Sequence, residues 1–465
     1  MKACALLAAA GVLLASSAAL ANGRFPRAQR LAQDAERPEQ LALYGTYGLV
    51  TSSDAGQSWQ YVCEAATGPF SGEAPLLELL PGGRIVLSSE TGLRGSSFPA
   101  CEWSGLLEPP LPNIVEDITP DPANAEALWA LLSEPDVSVG YRAALQRSED
   151  GGDSWSASRR IPTEVLARGL TIDASPTQPA RLYASGLSVD GQGVLARSDD
   201  AGETWRAFSI PGADSSAMPY IAAVAADDSA LFVRTDALAD HEGSLQPNDA
   251  LLYSADGGQT FTRIFEHRAK LLGFALSPDG ETLLLGYGDP VLFAYTVEPE
   301  QVGLYRMRTS ELNAEPRAER IFAGSVTCLR WTEHGLFACL AQGEQGFELG
   351  RADDAEFSEA SVQPFQGLLD LTQLRPLVCP EDSTAATCSG DSLYGWPLVC
   401  GKLGADCELE PEPATTETEQ EGGCDCRVTA RGPSRSRLGW LLAGAVVLLR
   451  RRAQRGRARL DTNAL

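Results

Sequence analysis

The chain is poor in the residue types that most often carry chemistry. Only three histidines, His241, His267 and His334, occur in 465 residues, far apart and without ligand spacing around them. A histidine metal centre therefore has no support. Nucleophile elbows of the Gly-x-Ser-x-Gly type and phosphate-cradling glycine loops are missing. Positive charge is scarce too: 37 Lys and Arg face 62 Asp and Glu, a formal charge of −25. Ten of the arginines, against one Asp, sit in residues 427–465, so the body before them is more acidic still. Such a surface repels phosphate backbones, which excludes nucleic-acid binding as a leading reading. Long apolar runs are also lacking. Leu438 to Leu449 spans twelve residues between flanking arginines, short of the ~20 that an ordinary membrane-crossing helix needs.

What is present repeats. SSDAGQSW (52–59), SEDGGDSW (148–155), SDDAGETW (198–205) and SADGGQTF (254–261) share Ser, then Asp, Gly, a hydroxyl residue and an aromatic at alternate or final positions. The shared residues are Ser52, Asp54, Gly56 and Trp59; Ser148, Asp150, Gly152 and Trp155; Ser198, Asp200, Gly202 and Trp205; Ser254, Asp256, Gly258 and Phe261. Asp in such a turn accepts from the backbone N–H groups that follow, and Gly supplies a positive φ. The octet reads as a self-stapled hairpin turn that fixes strand register.

Strand-like runs surround the octets, among them LALYGTYGLVT, RLYASGL, ALFVRTDAL and TLLLGY, with Gly, Pro, Asp and Asn between them. TEVLARGL (163–170) is the best helix candidate, and it is short. This pattern predicts an all-β fold. The octets begin 96, 50 and 56 residues apart, so a worn copy is expected near residue 100. SSFPACEW (96–103) keeps the first and last positions, RADDAEF (351–357) is a shortened copy, and GLYRMRTSELNAEP (303–316) is a strand entering a turn without the motif. About seven units of roughly 50 residues suit a β-propeller of four-stranded blades.

The octets resemble the Asp-box (bacterial neuraminidase repeat), and the chain is similar to Asp-box β-propellers. That resemblance implies boxes at the blade periphery, away from a central funnel, in a structural role. It extends to sialidases, other glycosidases and non-catalytic assembly factors, so it does not fix an activity. A sialidase would need an arginine in a Phe-Arg-Ile-Pro motif ahead of the first box. Arg159-Arg160-Ile161-Pro162 follows a box and lacks the Phe, and no arginine triad can be named by spacing. Glu116-Asp117, Asp240-His241-Glu242 and Asp289 read as solvated loop charges. No catalytic residue, metal site or cofactor is assigned.

The ends give an address. Residues 1–21 have the layout of a secretory signal peptide, with small residues at Ala19 and Ala21 and cleavage expected before Asn22. After the propeller (22–375) come a Cys-rich module (376–408), an acidic linker (409–423) and a tail (424–465) with Cys424 and Cys426, the short apolar segment 438–449 and an Arg-rich end. That tail resembles the myxobacterial C-terminal sorting signal, which implies processing and anchoring through Cys424 or Cys426; a plain single-pass anchor is the rival. In an exported chain Cys63, Cys101, Cys328, Cys339, Cys379, Cys388, Cys400 and Cys407 are disulfide candidates. Cys328 and Cys339 can meet across a hairpin, and Cys63 can pair with Cys101. The four later cysteines form a local group with no C-x-x-C spacing for zinc; that module either caps the propeller or pairs with its first blade. The expected function is an exported, surface-anchored binding platform for a glycan or protein partner, served by export and sorting machinery and tied to the membrane by its tail. A surface glycosidase using two funnel carboxylates is the alternative, and a coat or adhesion component a third.

Overall fold

The computed structural model describes residues 27–405 apart from 69–74, 110–112, 238–248, 289–298, 333, 355–356, 358–362 and 390–395. The described strands fall into seven consecutive four-stranded antiparallel meanders. The fold is an all-β propeller, and each meander is a blade. Their first strands are Ala28–Gln33, Leu77–Leu80, Ile114–Asp121, Arg168–Ala174, Ala217–Val224, Lys270–Leu276 and Cys328–Thr332. Blades 4 and 5 are joined into one eight-stranded sheet by the single pair Asp214 and Ala217. Helices are a few short turns, and among the described residues no helix is long and apolar enough to cross a membrane. The apolar segment 438–449, with Cys424, Cys426, Cys407 and Ala21, lies outside the described residues.

The expected helix at 163–170 is instead a turn leading into the first strand of blade 4. Leu166 and Ala167 are buried there, and Gly169 already pairs with Gly186. Apolar positions too few for three helical turns go to the strand that can bury them.

The octets join the third strand of a blade to its fourth in blades 1, 3, 4 and 5. In blade 4, Ser198 Oγ donates to Asp200 Oδ1 (2.8 Å) and accepts from Gly202 N–H (2.8 Å). Asp200 accepts from Thr204 N–H (2.8 Å) and Thr204 Oγ1 (2.6 Å), and Trp205 Nε1 donates back to Gly202 O (3.1 Å). The other three octets repeat the Ser–Asp–Gly and Asp–hydroxyl bonds. Two successive residues take positive φ: Ala201 at 56° and Gly202 at 82°, as do Ala55 and Gly56 at 59° and 87°. Sequence reading located only the second of these, because alanine gives no hint of a left-handed backbone.

The worn copy in blade 2 keeps the geometry with other residues. Ala100 stands at the glycine position with φ 87°, and Trp103 Nε1 donates to Ala100 O at 2.9 Å. In blade 6 the third strand, Gly303–Arg308, runs into a 3₁₀ turn, Thr309–Glu311, with no octet.

Each octet is also wedged against the preceding blade. A Cβ on Gly56, Gly152, Gly202 or Gly258 would meet Leu368, Leu106, Leu145 or Leu195, the last at 2.1 Å. Arginines of the preceding blade cap the turn: Arg159 Nη2 donates to Ala201 O and Arg197 Nη1 to Gly257 O, both at 2.8 Å. The octet thus fixes blade-to-blade contact as well as its own hairpin.

Blade 7 meets blade 1 through Ala28, whose N–H donates to Glu348 (2.6 Å) and whose carbonyl accepts from Thr327 Oγ1 (2.6 Å). The chain then returns beyond blade 7. Arg375–Pro376 pairs in parallel with Gln60–Tyr61, and Trp396 packs fully buried against Tyr61. Cys63 bonds to Cys388 and Cys101 to Cys379. The expected Cys63–Cys101 pair is therefore wrong: each takes a partner from the returning segment, about 300 residues on. Cys328 and Cys339 are bonded across their hairpin, and Cys400 is also disulfide-bonded.

Candidate functional site

The first strands of the blades carry a recurring irregularity. Register shifts fall between Ala28 and Arg30, Val115 and Asp117, Gly169 and Thr171, Ile221 and Ala223, and Leu271 and Gly273. Blades 1, 3, 4, 5 and 6 thus each carry a bulge on the first strand, which re-aims the side chains beside it. In blade 3 the bulged residue is Glu116. Far from being loop charges in free solvent, Glu116 and Asp117 lie half-buried on this strand. Residues 240–242 and 289 lie outside the described residues, and His334 is on the hairpin of blade 7.

Two groups of charged side chains result. Asp117 accepts from Ile172 N–H (2.9 Å), and Asp173 approaches Thr119 Oγ1 (3.4 Å). Burial pushes Asp117 up to about 7, against the pull of Arg30, and Asp173 up to about 6. Glu78 is raised by burial too, opposed by Arg330 and Arg30, and its charge acts on both aspartates. Blades 1, 2, 3, 4 and 7 each contribute to this cluster of three carboxyls and two arginines.

The second group surrounds Tyr220 of blade 5. Burial pushes its hydroxyl up to about 12, with Asp236 and Glu116 adding to the shift and Arg234 and Arg168 opposing it. The Arg234 guanidinium lies 4.8 Å from the Tyr220 ring centroid, and that of Arg168 lies 5.0 Å from Tyr141. Glu116 Oε1 and Arg168 Nε stand 3.8 Å apart, too far to hydrogen-bond. Both atoms are buried, and neither has a hydrogen-bond partner among the described residues. Burial lifts the Glu116 carboxyl above its usual range, with Arg168 opposing. Asp236 is ion-paired with Lys270, which is itself buried and also reaches Ala237 O (2.6 Å).

Burial thus lifts the acids of both groups, Asp117 to about 7 and Glu116 above its usual range, and the second group adds two cation–aromatic contacts. Sequence reading missed Tyr220, Arg168, Arg234 and Asp236 because they come from blades 4 and 5 with no shared motif. The one available signal was the Glu116-Asp117 pair. Among the described residues no group of three or more His, Cys, Asp or Glu is placed to hold a metal ion. The octet residues stand on the third-to-fourth-strand turns and contribute nothing to either group.

No family model matches the chain. A xyloglucanase from Paenibacillus sp is 26% identical over 284 residues, covering 51% of this chain and 26% of that protein. The crystal structure of an ancestral GH74 enzyme aligns with a TM-score of 0.53 at 14% identity, over 75% of this chain and 47% of that one. The structure of YCF48 from Cyanidioschyzon merolae aligns at 0.41 and 12% identity, over 68% of this chain and 93% of that one. The chain spans about a quarter of the xyloglucanase and just under half of the GH74 structure.

Proposed function

We propose that the chain is an exported, surface-displayed Asp-box propeller that cleaves a glycan, with Glu116 as the acid and Asp236 as the base. The supporting observation is the facing pair of orphaned buried atoms, Glu116 Oε1 and Arg168 Nε, beside Tyr220. Buried polar atoms without partners are uncommon in folded proteins, and each such atom calls for a structural or catalytic reason. Glu116, its carboxyl lifted above the usual range by burial, protonates the bridging oxygen of the scissile bond. Asp236, ion-paired with Lys270 and Arg234, takes the proton of the attacking water. Tyr141 and Tyr220 offer ring faces to neighbouring sugars. The likeness to a xyloglucanase makes xyloglucan the first substrate to assay.

The test is release of reducing ends from xyloglucan and a panel of other polysaccharides. Glu116→Gln and Asp236→Asn should each slow hydrolysis by roughly 10²–10⁴-fold with the melting temperature little changed. A wild-type protein that binds polysaccharide and cuts none would overturn the assignment. That outcome favours the second reading, a binding platform, which the Lys270 contact to Asp236 supports because it ties up the base. A coat or adhesion role predicts neither binding nor cleavage.

For the address, we propose removal of residues 1–21 and attachment to the cell surface through Cys424 or Cys426, with the tail trimmed. The intact mass of the exported protein tests both ends. A mass that retains residues 1–21 or an unmodified tail sinks this part.

A further inference from the structure

Blades 5 and 6 form an open surface depression of about 510 Å³ lined by Phe265, Glu266, His267, Arg268, Gln301, Tyr305 and Ala318. Its wall is a cluster of rings: Phe265, His267, Tyr287 and Tyr305 lie with centroids 4.9–5.9 Å apart. The hydrogen bonds fix the protons on this wall. Arg268 N–H donates to His267 Nδ1 (2.8 Å), so a neutral imidazole carries its hydrogen on Nε2. Burial, with Arg320 adding to it, lowers the His267 pKa and keeps the ring neutral. Nε2–H then donates to the Tyr305 oxygen at 2.8 Å. The Tyr305 hydroxyl, its oxygen occupied as an acceptor, must turn its own hydrogen elsewhere.

The lining carries one acid, Glu266, and one base, Arg268. Glu266 is ion-paired with Arg263, while Arg320 is committed to the carbonyls of Pro299 and Val302 (2.7 and 2.5 Å). The Arg268 guanidinium is exposed and has no partner among the described residues. With Glu266 held by Arg263, the Arg268 guanidinium, an O–H donor and ring surfaces meet in one depression of a chain that carries −25 overall.

From this geometry we infer a binding site for an acidic sugar, a pyranose ring bearing a carboxylate. Arg268 takes the carboxylate, Tyr305 O–H donates to a ring substituent oxygen, and Phe265 with His267 supplies the stacking face. The site is built from blades 5 and 6 without Glu116 or Asp236, so it stands apart from the proposed cleavage.

The experiment is calorimetry on the full exported chain with trigalacturonate and with the same trisaccharide reduced to its neutral alcohol. The acid should bind roughly tenfold more tightly or better, the scale of one charge-assisted hydrogen bond. Arg268→Gln should abolish that preference, and Tyr305→Phe should weaken both ligands. Equal affinity for acid and neutral forms overturns the inference, as does an unchanged preference in Arg268→Gln. Arg268 is exposed, so its variant stays informative even where Tyr305→Phe folds poorly. Glu116→Gln should bind trigalacturonate like the wild type, which separates this result from any failure of hydrolysis.

Discussion

Aspartates at the blade turns and acids on the first strands have been driven in opposite directions by the same fold. Asp200 is held down to about 2 by the hydroxyl and N–H of Thr204 and by Ser198. Asp256 also sits at about 2, its bonds from Thr260 and Ser254 outweighing the cost of partial burial. On the first strands, Asp117 is pushed up to about 7 by burial that few donors offset. A carboxylate given several short donors is stabilised as an anion; one enclosed with too few donors keeps its proton. The turn aspartates serve the architecture, and the enclosed acids titrate higher than a surface carboxyl.

The sharpest way to break this comparison is to exchange the roles. Glu116→Gln should lose catalysis by about two to four orders of magnitude and almost no stability, whereas octet variants should do the reverse. Next comes the returning segment. Cys63→Ser opens a disulfide closing 325 residues, and should cost about 3–5 kcal/mol, seen as a lower urea midpoint. In the octets, Gly258→Ala meets Leu195 at 2.1 Å with φ 83° and should cost about 2–3 kcal/mol in the same assay. Ser148→Ala leaves the Gly152 N–H without its buried acceptor and should cost about 1–3 kcal/mol.

A pH series tests the opposition itself. The octet aspartates Asp200 and Asp256 are held below the ordinary 3.8 of a free aspartate. Their contribution is present above about 3.8 and is lost as pH falls through about 2. Asp117, Asp173 and Glu348 are raised, to about 7, 6 and 7, by burial. Their contribution is full below their unfolded values and is lost as pH rises toward 7. Thermal melts should therefore peak near pH 4 and decline on both sides, and Asp117→Asn should flatten the alkaline limb only. The smallest effect expected is a gain: Ala201→Gly relieves a left-handed alanine at φ 56° and should add up to about 1 kcal/mol.

The blade pattern was legible because each octet is a local object. Ser198, Asp200, Gly202 and Thr204 bond to one another within seven residues, so their spacing alone carries the turn. The worn turn of blade 2 was legible through Trp103, whose bond to Ala100 survives the loss of Asp and Gly. The capping arginines were not legible. Arg159 and Arg197 reach turns 42 and 60 residues away on the next blade, and nothing in their own neighbourhood marks them. The candidate site was hidden for the same reason, since Glu116, Arg168, Tyr220 and Asp236 come from three blades.

By itself the sequence determined the repeating turn and the strand character of the runs between turns, because these depend on bonds and burial patterns within tens of residues. Tertiary structure decided which cysteines pair, which blade each octet leans on and which acids lose their water. Those outcomes depend on the ring bringing distant strands side by side, and burial beside a specific neighbour is a property no single stretch of chain possesses.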